Sequence, residues 1–278
     1  MPIMTKATAE TPEKVIVFGK PKSGKTYLTG LLAEHKKLIW LDLERGATTL
    51  RQLPLAWQEN VDLWTVNDSP ADSASLNLIK SIIRKKVNVC HKHSKVECVK
   101  CKKNEEPFSV IDLPNSDTDT VLVIDSLTGL SESTLNHVLK QSGLDITSKG
   151  EITFNHYGLQ GSILSQIMAY IVALPCHVVC ISHEKNIEEE ATKKEFLTPI
   201  FGTKNLSRNV AKDFGHVVYC YVSNKKHKIM SRTSDATNKI VGSRTDVDCS
   251  SIGTIAPLLG IKIDGVEVNK AATDPVPP

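Results

Sequence analysis

The feature that most constrains this chain is its run GKPKSGKT at residues 19–26. The run matches the pattern G-x-x-x-x-G-K-[ST]; it follows a short apolar, β-branched segment, residues 14–18, and leads into helical spacing at residues 25–35. In this strand–loop–helix context the glycines let backbone N–H groups close around a phosphate, and the start of the helix adds its positive dipole end. The sequence therefore predicts a phosphate-binding loop (P-loop), and the context disfavours the alternative, a chance match.

The residues of this loop have distinct expected roles. Lys25 should reach the β- and γ-phosphates of a bound ATP, and the Thr26 hydroxyl should bind Mg²⁺. The predicted nucleotide-binding residues are Gly19, Lys20, Pro21, Lys22, Ser23, Gly24, Lys25, Thr26, Tyr27, Asp125 and Ser126.

An acidic residue ends a later apolar run. Asp125 closes residues 121–125, read as a buried strand, and Ser126 follows it. A P-loop needs such an acid on a second strand for magnesium, so Asp125 is predicted to hold Mg²⁺ through water together with Thr26. An ordinary strand-end aspartate is the alternative.

A second pair of acids follows another apolar run, residues 38–43. Asp42 and Glu44 lie two residues apart, so both side chains would project on the same side if the strand continues. Glu44 at the carboxyl edge of the sheet is predicted to orient or deprotonate the attacking water. A solvated loop carboxylate is the alternative for Glu44.

Buried apolar runs alternate with helical segments along the chain, which predicts an α/β fold with a mostly parallel sheet and helices on both faces. Helices are expected near residues 48–58, 76–84, 155–172 and 205–212, strands at 61–66, 121–125 and 176–182, a charged loop over most of 184–212, and a closing antiparallel series at 217–222, 228–232 and 240–245. We expect a flexible arm at residues 1–13, a core at 14–245, and a C-terminal extension at 246–278 with a disordered tail.

Composition narrows the class of protein. The 278 residues are 40% hydrophobic with a net charge of +3, as in an ordinary soluble domain, and this charge is too small to indicate nucleic acid by itself. No apolar run approaches the roughly 20 residues that cross a bilayer, and the N-terminus lacks the apolar stretch of a secretory signal. We therefore expect a cytoplasmic protein without a membrane partner.

Residues 88–104 differ from the rest of the chain and are predicted to be a small inserted knob. Cys90, His93, Cys98 and Cys101 give the spacing C-x₂-H-x₄-C-x₂-C, which suits tetrahedral Zn²⁺. His91 could replace His93, and a basic loop with unrelated thiols is the alternative. Four protein ligands leave no open position, so the zinc would be structural rather than catalytic.

Basic residues are dense in and before the knob. Residues 84–103 contain eight Lys and Arg against the single acid Glu97. The knob could therefore grip a phosphate backbone. A protein-docking surface or a solvated charge run would explain the same pattern.

Three segments resemble the RecA-like recombinase ATPases, in the same order after the P-loop: LIWLDLERGA, VLVIDSLTGL and VVCISHEKN. The resemblance implies that Glu44 is the catalytic base, that Asp125 and Ser126 form the Walker B pair, and that His183 senses the γ-phosphate. Recombinases usually carry Gln at the position of His183. Strand-end packing is the alternative for this histidine.

A further segment, KIVGSRT, resembles the K-x-R finger segment of RecA-like helicase motors. The resemblance implies that Arg244 reaches the γ-phosphate in a neighbouring subunit, although Gly242 stands in the place of the lysine. The predicted catalytic residues are thus Lys25, Glu44, His183 and Arg244. A surface salt bridge is the alternative for Arg244.

The chain most resembles the bacteriophage RecA-like ATPases of the Sak-four single-strand annealing type, through its compactness and the segment FGTKNLSRNVAKDFGHVVYCYV. The resemblance covers about residues 14–245. It implies Mg-dependent ATP hydrolysis, a homo-oligomeric ring or filament, location in the host cytoplasm, and annealing of single-stranded DNA bound by loops at about 129–155 and 184–204. The alternatives are a helicase-like motor or loader, and a nucleotide-dependent switch that docks on a single-strand-binding or replication protein.

Overall fold

The computed structural model describes residues 11–69, 72–148, 151–188, 193–232, 238–244 and 247–263. Its strands are β1 (Lys14–Gly19), β2 (Lys37–Asp42), β3 (Val61–Thr65), β4 (Val87–Cys90), β5 (Phe108–Ile111), β6 (Thr120–Asp125), β7 (His177–Glu188), β8 (Glu195–Pro199), β9 (His216–Ser223), β10 (Lys226–Met230) and β11 (Gly242–Ser243). Its helices are α1 (Lys25–Gly30), α2 (Leu55–Gln58), α3 (Ala74–Ile82), α4 (Val99–Lys103), α5 (Leu127–Gln141), α6 (Phe154–Val172), α7 (Lys204–Asn209) and α8 (Cys249–Ile252). The predicted arm before residue 11 and the tail after residue 263 lie outside the described residues.

The central sheet has the order β10-β9-β1-β7-β6-β2-β3, with β11 on β9 and β8 on β7. Neighbours from β9 to β3 run parallel, and β8, β10 and β11 pair antiparallel. The register places Gly19 beside His183, and Asp42 beside Asp125. The carboxyl ends of β1, β2, β6 and β7 therefore meet at one edge of the sheet, and the predicted mostly parallel sheet is confirmed.

Alternate side chains of each strand enter two apolar layers. On β1, Ile16 and Phe18 face the layer that contains α3, α5 and α6, whereas Val15 and Val17 face the layer that contains α1 and the C-terminal 3-10 turn Ala256–Leu259. All four side chains are fully buried. Helices thus cover both faces, as the sequence predicts, because every central strand is apolar on both sides.

The structure corrects the predicted loop over residues 184–212. β7 continues to Glu188, and β8 returns antiparallel to it, with Ile187 opposite Phe196. Charged side chains at exposed positions hid a strand whose inward residue, Ile187, is buried. The predicted helix at 205–212 is shorter, since α7 passes into the 3-10 turn Val210–Asp213.

The other predicted DNA loop, residues 129–155, is also largely wrong, because α5 occupies its first half. The Ser126 hydroxyl caps α5 by accepting a hydrogen bond from the backbone N–H of Gly129 at 3.2 Å. In the closing series, β9 is parallel to β1, and only β10 and β11 are antiparallel. The expected helices at 25–35 and 48–58 each divide into an α-helix and a 3-10 turn.

The knob (residues 88–104) lies within an antiparallel hairpin of β4 and β5 that is separate from the central sheet. It is attached to the end of the outer strand β3: the Ser94 hydroxyl donates to the Thr65 carbonyl at 2.9 Å, and the His91 ring packs 5.2 Å from that of Trp64. No helix within the described residues is both long and apolar enough to cross a membrane.

Candidate active site

The P-loop joins β1 to α1 at the carboxyl edge of the sheet. Lys25 is 6% exposed, and its Nζ donates hydrogen bonds to the carbonyls of Gly19 and Lys20 at 3.0 and 2.8 Å. Burial lowers the pKa of Lys25. The loop thus holds a buried cation at its centre.

Close contacts fix the path of this loop. Gly24 has a φ of 95°, and a Cβ there would lie 2.9 Å from Nδ1 of His227. At Gly19 a Cβ would lie 2.1 Å from the Cys220 carbonyl oxygen, so both positions require glycine. The buried Ser23 hydroxyl has no hydrogen-bond partner among the described residues, as expected of a loop whose polar groups serve a bound phosphate.

Thr26 and Asp125 form the part of the site suited to a hard cation. The Thr26 hydroxyl donates to Oδ2 of Asp125 at 3.0 Å, although 99 positions separate the two residues. Burial raises the pKa of Asp125 to about 7, and the Thr26 hydrogen bond acts against this rise. A hydroxyl and a buried carboxylate are the oxygen donors that Mg²⁺ prefers, so these residues fit the predicted magnesium site.

Glu44 lies at the centre of a hydrogen-bonded group drawn from three strand ends. Its Oε2 is 2.9 Å from Nε2 of His183, and its Oε1 accepts a short hydrogen bond from the Ser126 hydroxyl. Burial would raise the pKa of Glu44, but the hydrogen bonds from His183 and Ser126 hold it below its usual value. The structure therefore presents a fixed carboxylate beside the P-loop, with Lys25 close enough to lower its pKa further.

Asp42 does not share this arrangement. β2 ends at Asp42, and the carboxylate turns back to accept hydrogen bonds from the backbone N–H groups of Gly46 and Ala47 at 2.9 and 3.3 Å. The expectation that Asp42 and Glu44 project together is wrong because the strand does not continue between them. Asp42 stabilises the turn that places Glu44.

Two contributors to the site carry no signal in the sequence. Nδ1 of His227, on β10, lies 3.0 Å from the Ser23 carbonyl and supports the outside of the P-loop. The Thr128 hydroxyl accepts a hydrogen bond from the backbone N–H of His183 at 3.2 Å. Both contacts arise from tertiary packing between segments that no local motif connects.

Arg244 is not brought to the P-loop of its own chain. It is exposed, and its backbone N–H donates to the Gly215 carbonyl at 3.1 Å, where β11 pairs with the first residues of β9. That position is the amino-terminal edge of the parallel strands, opposite Gly19. A finger role for Arg244 therefore requires a second subunit and stays a prediction.

The knob brings together the four residues of its Cys/His motif. Their ligand atoms all lie within 4.8 Å of one another, and Nδ1 of His93 is 3.1 Å from Sγ of Cys101. His91 points elsewhere, with its Nε2 2.8 Å from the Ser109 hydroxyl. Of the two histidines that the sequence left open, His93 is the one in the cluster, which contains Cys90, His93, Cys98 and Cys101.

The structure also corrects the expected unopposed charge around the knob. Lys92 pairs with Glu106, and Lys95 pairs with Asp72. The remaining pairs are Lys102–Glu97 and Lys86–Asp112. Three of these four acids lie outside residues 84–103, so a count within that window missed them.

Comparisons with known proteins agree with this site. Three solved structures are similar over much of this chain: the RadB recombinase (15% identity, TM-score 0.39, covering 83% of this chain and 85% of that one), a type III secretion system ATPase (14%, 0.43, 77% and 53%) and a separately solved ATPase domain (12%, 0.35, 78% and 75%). The chain spans about half the length of the secretion ATPase. At these TM-scores, the likenesses carry no argument about activity. No curated protein matches.

The family comparison is more extensive. The family model AAA_24, described as AAA domain, matches residues 11–245, which include the P-loop, Glu44, Asp125 and His183. The chain carries a P-loop NTPase core and belongs to this AAA domain family.

Proposed function

We propose that this chain is a Mg-dependent, RecA-like ATPase. The observation that carries the proposal is the meeting of four strand ends, which places Lys25, Thr26, Asp125 and Glu44 at one edge of the sheet. A P-loop alone would fit kinases or GTPases. A fixed carboxylate from the second strand favours a hydrolase, because hydrolysis requires a group that orients water.

The residues divide the chemistry among them. Lys25 and the loop N–H groups would bind the β- and γ-phosphates, in place of the loop carbonyls that Lys25 now contacts. Mg²⁺ held by Thr26 and Asp125 would neutralise charge on the phosphates. Glu44 would accept the proton of the attacking water, with the carboxylate oriented by His183 and Ser126.

We extend the proposal to DNA. The resemblance to phage annealing ATPases supports binding and annealing of single-stranded DNA by a homo-oligomer in a phage-infected cell. The position of Arg244, exposed and remote from its own P-loop, supports a contribution to a neighbouring nucleotide.

The test combines phosphate release by the purified chain, with Mg-ATP and with or without a single-stranded oligonucleotide, with annealing and forked-duplex unwinding assays. We expect hydrolysis and annealing without unwinding. Unwinding would instead indicate a motor, and hydrolysis with neither DNA activity would indicate a nucleotide-dependent switch. Absence of Mg-dependent hydrolysis would overturn the enzyme proposal.

We also propose that the Cys/His cluster holds one structural Zn²⁺. Three thiols and one imidazole are the ligands of a closed tetrahedral site, and Cys90 and Cys101 are almost completely buried. Such a set leaves no position for substrate, so the metal would fix the fold of the knob. Elemental analysis of the purified, unoxidised chain tests this, with one zinc per chain expected and none contradicting it.

A further inference from the structure

We propose that a basic groove on the outer face of α3 binds the phosphodiester backbone of single-stranded DNA. The groove has a volume of about 340 Å³ and is lined by Asn77, Lys80, Ser81, Arg84 and Lys85. This inference rests on the proposed function and deepens it, since it locates a DNA contact outside both loops that the sequence resemblance implies.

The cations of the groove differ from those of the neighbouring knob. Within the described residues, Lys80, Arg84 and Lys85 form no salt bridge with a carboxylate, whereas four nearby lysines are paired with acids. Free positive charge is therefore concentrated in the groove rather than on the knob. A phosphate backbone is drawn to unneutralised lysine and arginine, because binding releases its counterions.

The spacing of the groove residues makes one continuous surface. Asn77, Ser81 and Lys85 recur every four positions, as do Lys80 and Arg84, which places them along one side of α3 and its C-terminal continuation. From Asn77 to Arg84 the helical rise amounts to about 10 Å. A cationic strip of this length follows an extended chain of phosphates better than it encloses one small anion.

An aromatic ring beside the strip favours a nucleic acid over an acidic peptide. The Arg84 guanidinium lies 4.9 Å from the ring centroid of Tyr170 on α6, and it donates to Oε1 of Gln166 at 3.3 Å. Tyr170 is 42% exposed, so a base can reach its ring. Cationic grooves flanked by accessible aromatics are the usual means of holding single strands without sequence preference.

The nearest acid does not cancel this charge. Oδ1 of Asp72 accepts a hydrogen bond from Nδ2 of Asn77 at 3.5 Å, but its other oxygen is paired with Lys95. On the opposite side, α5 adds His137, whose pKa is lowered by burial and by the neighbouring charges of Lys80 and Lys140. The field around the groove is thus positive on the side of α5 as well.

The test measures binding of a fluorescent oligo-dT strand to the full chain by anisotropy across a range of salt concentrations. One variant carries Lys80→Ala, Arg84→Ala and Lys85→Ala, and its matched control carries Lys92→Ala, Lys95→Ala and Lys102→Ala. Both lose three positive charges, so only the location differs. Circular dichroism and ATP binding verify that each variant is folded.

We expect the groove variant to bind about tenfold or more weakly, with the slope of log affinity against log salt reduced by about 2, because about three phosphate contacts are lost. The control should remain within about threefold of the wild type. Tyr170→Ala should weaken binding about fivefold, and Tyr170→Phe, which keeps the ring, should not.

Several results would overturn the inference. Unchanged binding by the groove variant, or an equal loss in the control, would remove the groove from DNA binding while leaving the proposed function in place. Displacement of the strand by poly-glutamate as readily as by unlabelled oligo-dT would assign the groove to acidic protein partners instead. A wild-type chain that binds no oligo-dT at low salt would remove the DNA part of the proposed function together with the groove.

Discussion

The nucleotide site and the Cys/His cluster are assembled in opposite ways. Lys25, Glu44, Asp125 and His183 come from distant parts of the chain, and parallel strands align their carboxyl ends. The four cluster residues instead lie within twelve consecutive positions, residues 90–101, on a hairpin outside the central sheet. The first site is therefore a product of the whole fold, whereas the second depends on local chain geometry and on its metal.

This difference has consequences for stability and for function. Strands that are buried on both faces hold the nucleotide site in place. The hairpin has few buried apolar side chains of its own, among them Val89, and small units of this kind commonly need a metal to fold. Changes in the nucleotide site should therefore abolish chemistry without unfolding the chain, and changes in the cluster should do the reverse locally.

The largest effect is expected from Lys25→Ala. Removing the buried ammonium leaves the phosphates without their central cation, so ATP hydrolysis should fall at least about 1000-fold while the protein remains folded. Steady-state phosphate release measures this. Lys20→Ala is the control, because the Lys20 side chain is exposed and only its backbone carbonyl contacts Lys25. Hydrolysis that survives Lys25→Ala would refute the P-loop role.

The next largest effect should come from Glu44→Gln. The amide keeps the size of the side chain but cannot accept the proton of water, so turnover should fall about 300-fold. Binding of a fluorescent ATP analogue should be nearly unchanged, because Glu44 is not part of the P-loop. Glu59→Gln, at an exposed carboxylate, controls for the loss of charge. Normal turnover by Glu44→Gln would exclude Glu44 as the base.

A smaller effect, confined to the knob, should follow His93→Ala. Loss of one of four ligands should weaken zinc binding about 100-fold. His91→Ala is the matched control and should retain the metal, because His91 contacts Ser109 and Trp64 instead of the cluster. Metal content and competition with a chromogenic chelator report the difference. If His91→Ala releases the metal and His93→Ala does not, the ligand assignment is wrong.

The contrast also explains what the sequence can predict. The P-loop, Asp125 and the Cys/His motif carry their chemistry in contiguous spacing, so they are visible without a fold. The helix α5 was missed because Ser131 and Thr134 are buried in it, where their hydroxyls bond to helix carbonyls four residues earlier. Polar letters there do not mark a loop.

Pairings across space are the part that spacing cannot supply. Lys95 reads as a free charge until the fold places Asp72 beside it. His227 lies in a charged stretch, and only the antiparallel return of β10 beside β9 brings it to the Ser23 carbonyl. Such contacts depend on which strands become neighbours, and that is decided by the global packing of apolar faces.

The smallest effect should distinguish positioning from chemistry within the nucleotide site. Hydrogen bonds from His183 and Ser126 lower the pKa of Glu44, so the carboxylate stays ionised as pH falls and activity is lost only on the acid side, when pH passes through that lowered value. His183→Ala removes one of these hydrogen bonds and should move the acid limb of turnover to higher pH. At neutral pH turnover should fall only roughly threefold, since a single hydrogen bond is lost. The pH profile of single-turnover hydrolysis measures both effects, and Ser126→Ala should shift it in the same direction. A rate loss with an unmoved acid limb would instead mean that His183 acts on the phosphate directly, and not by way of Glu44.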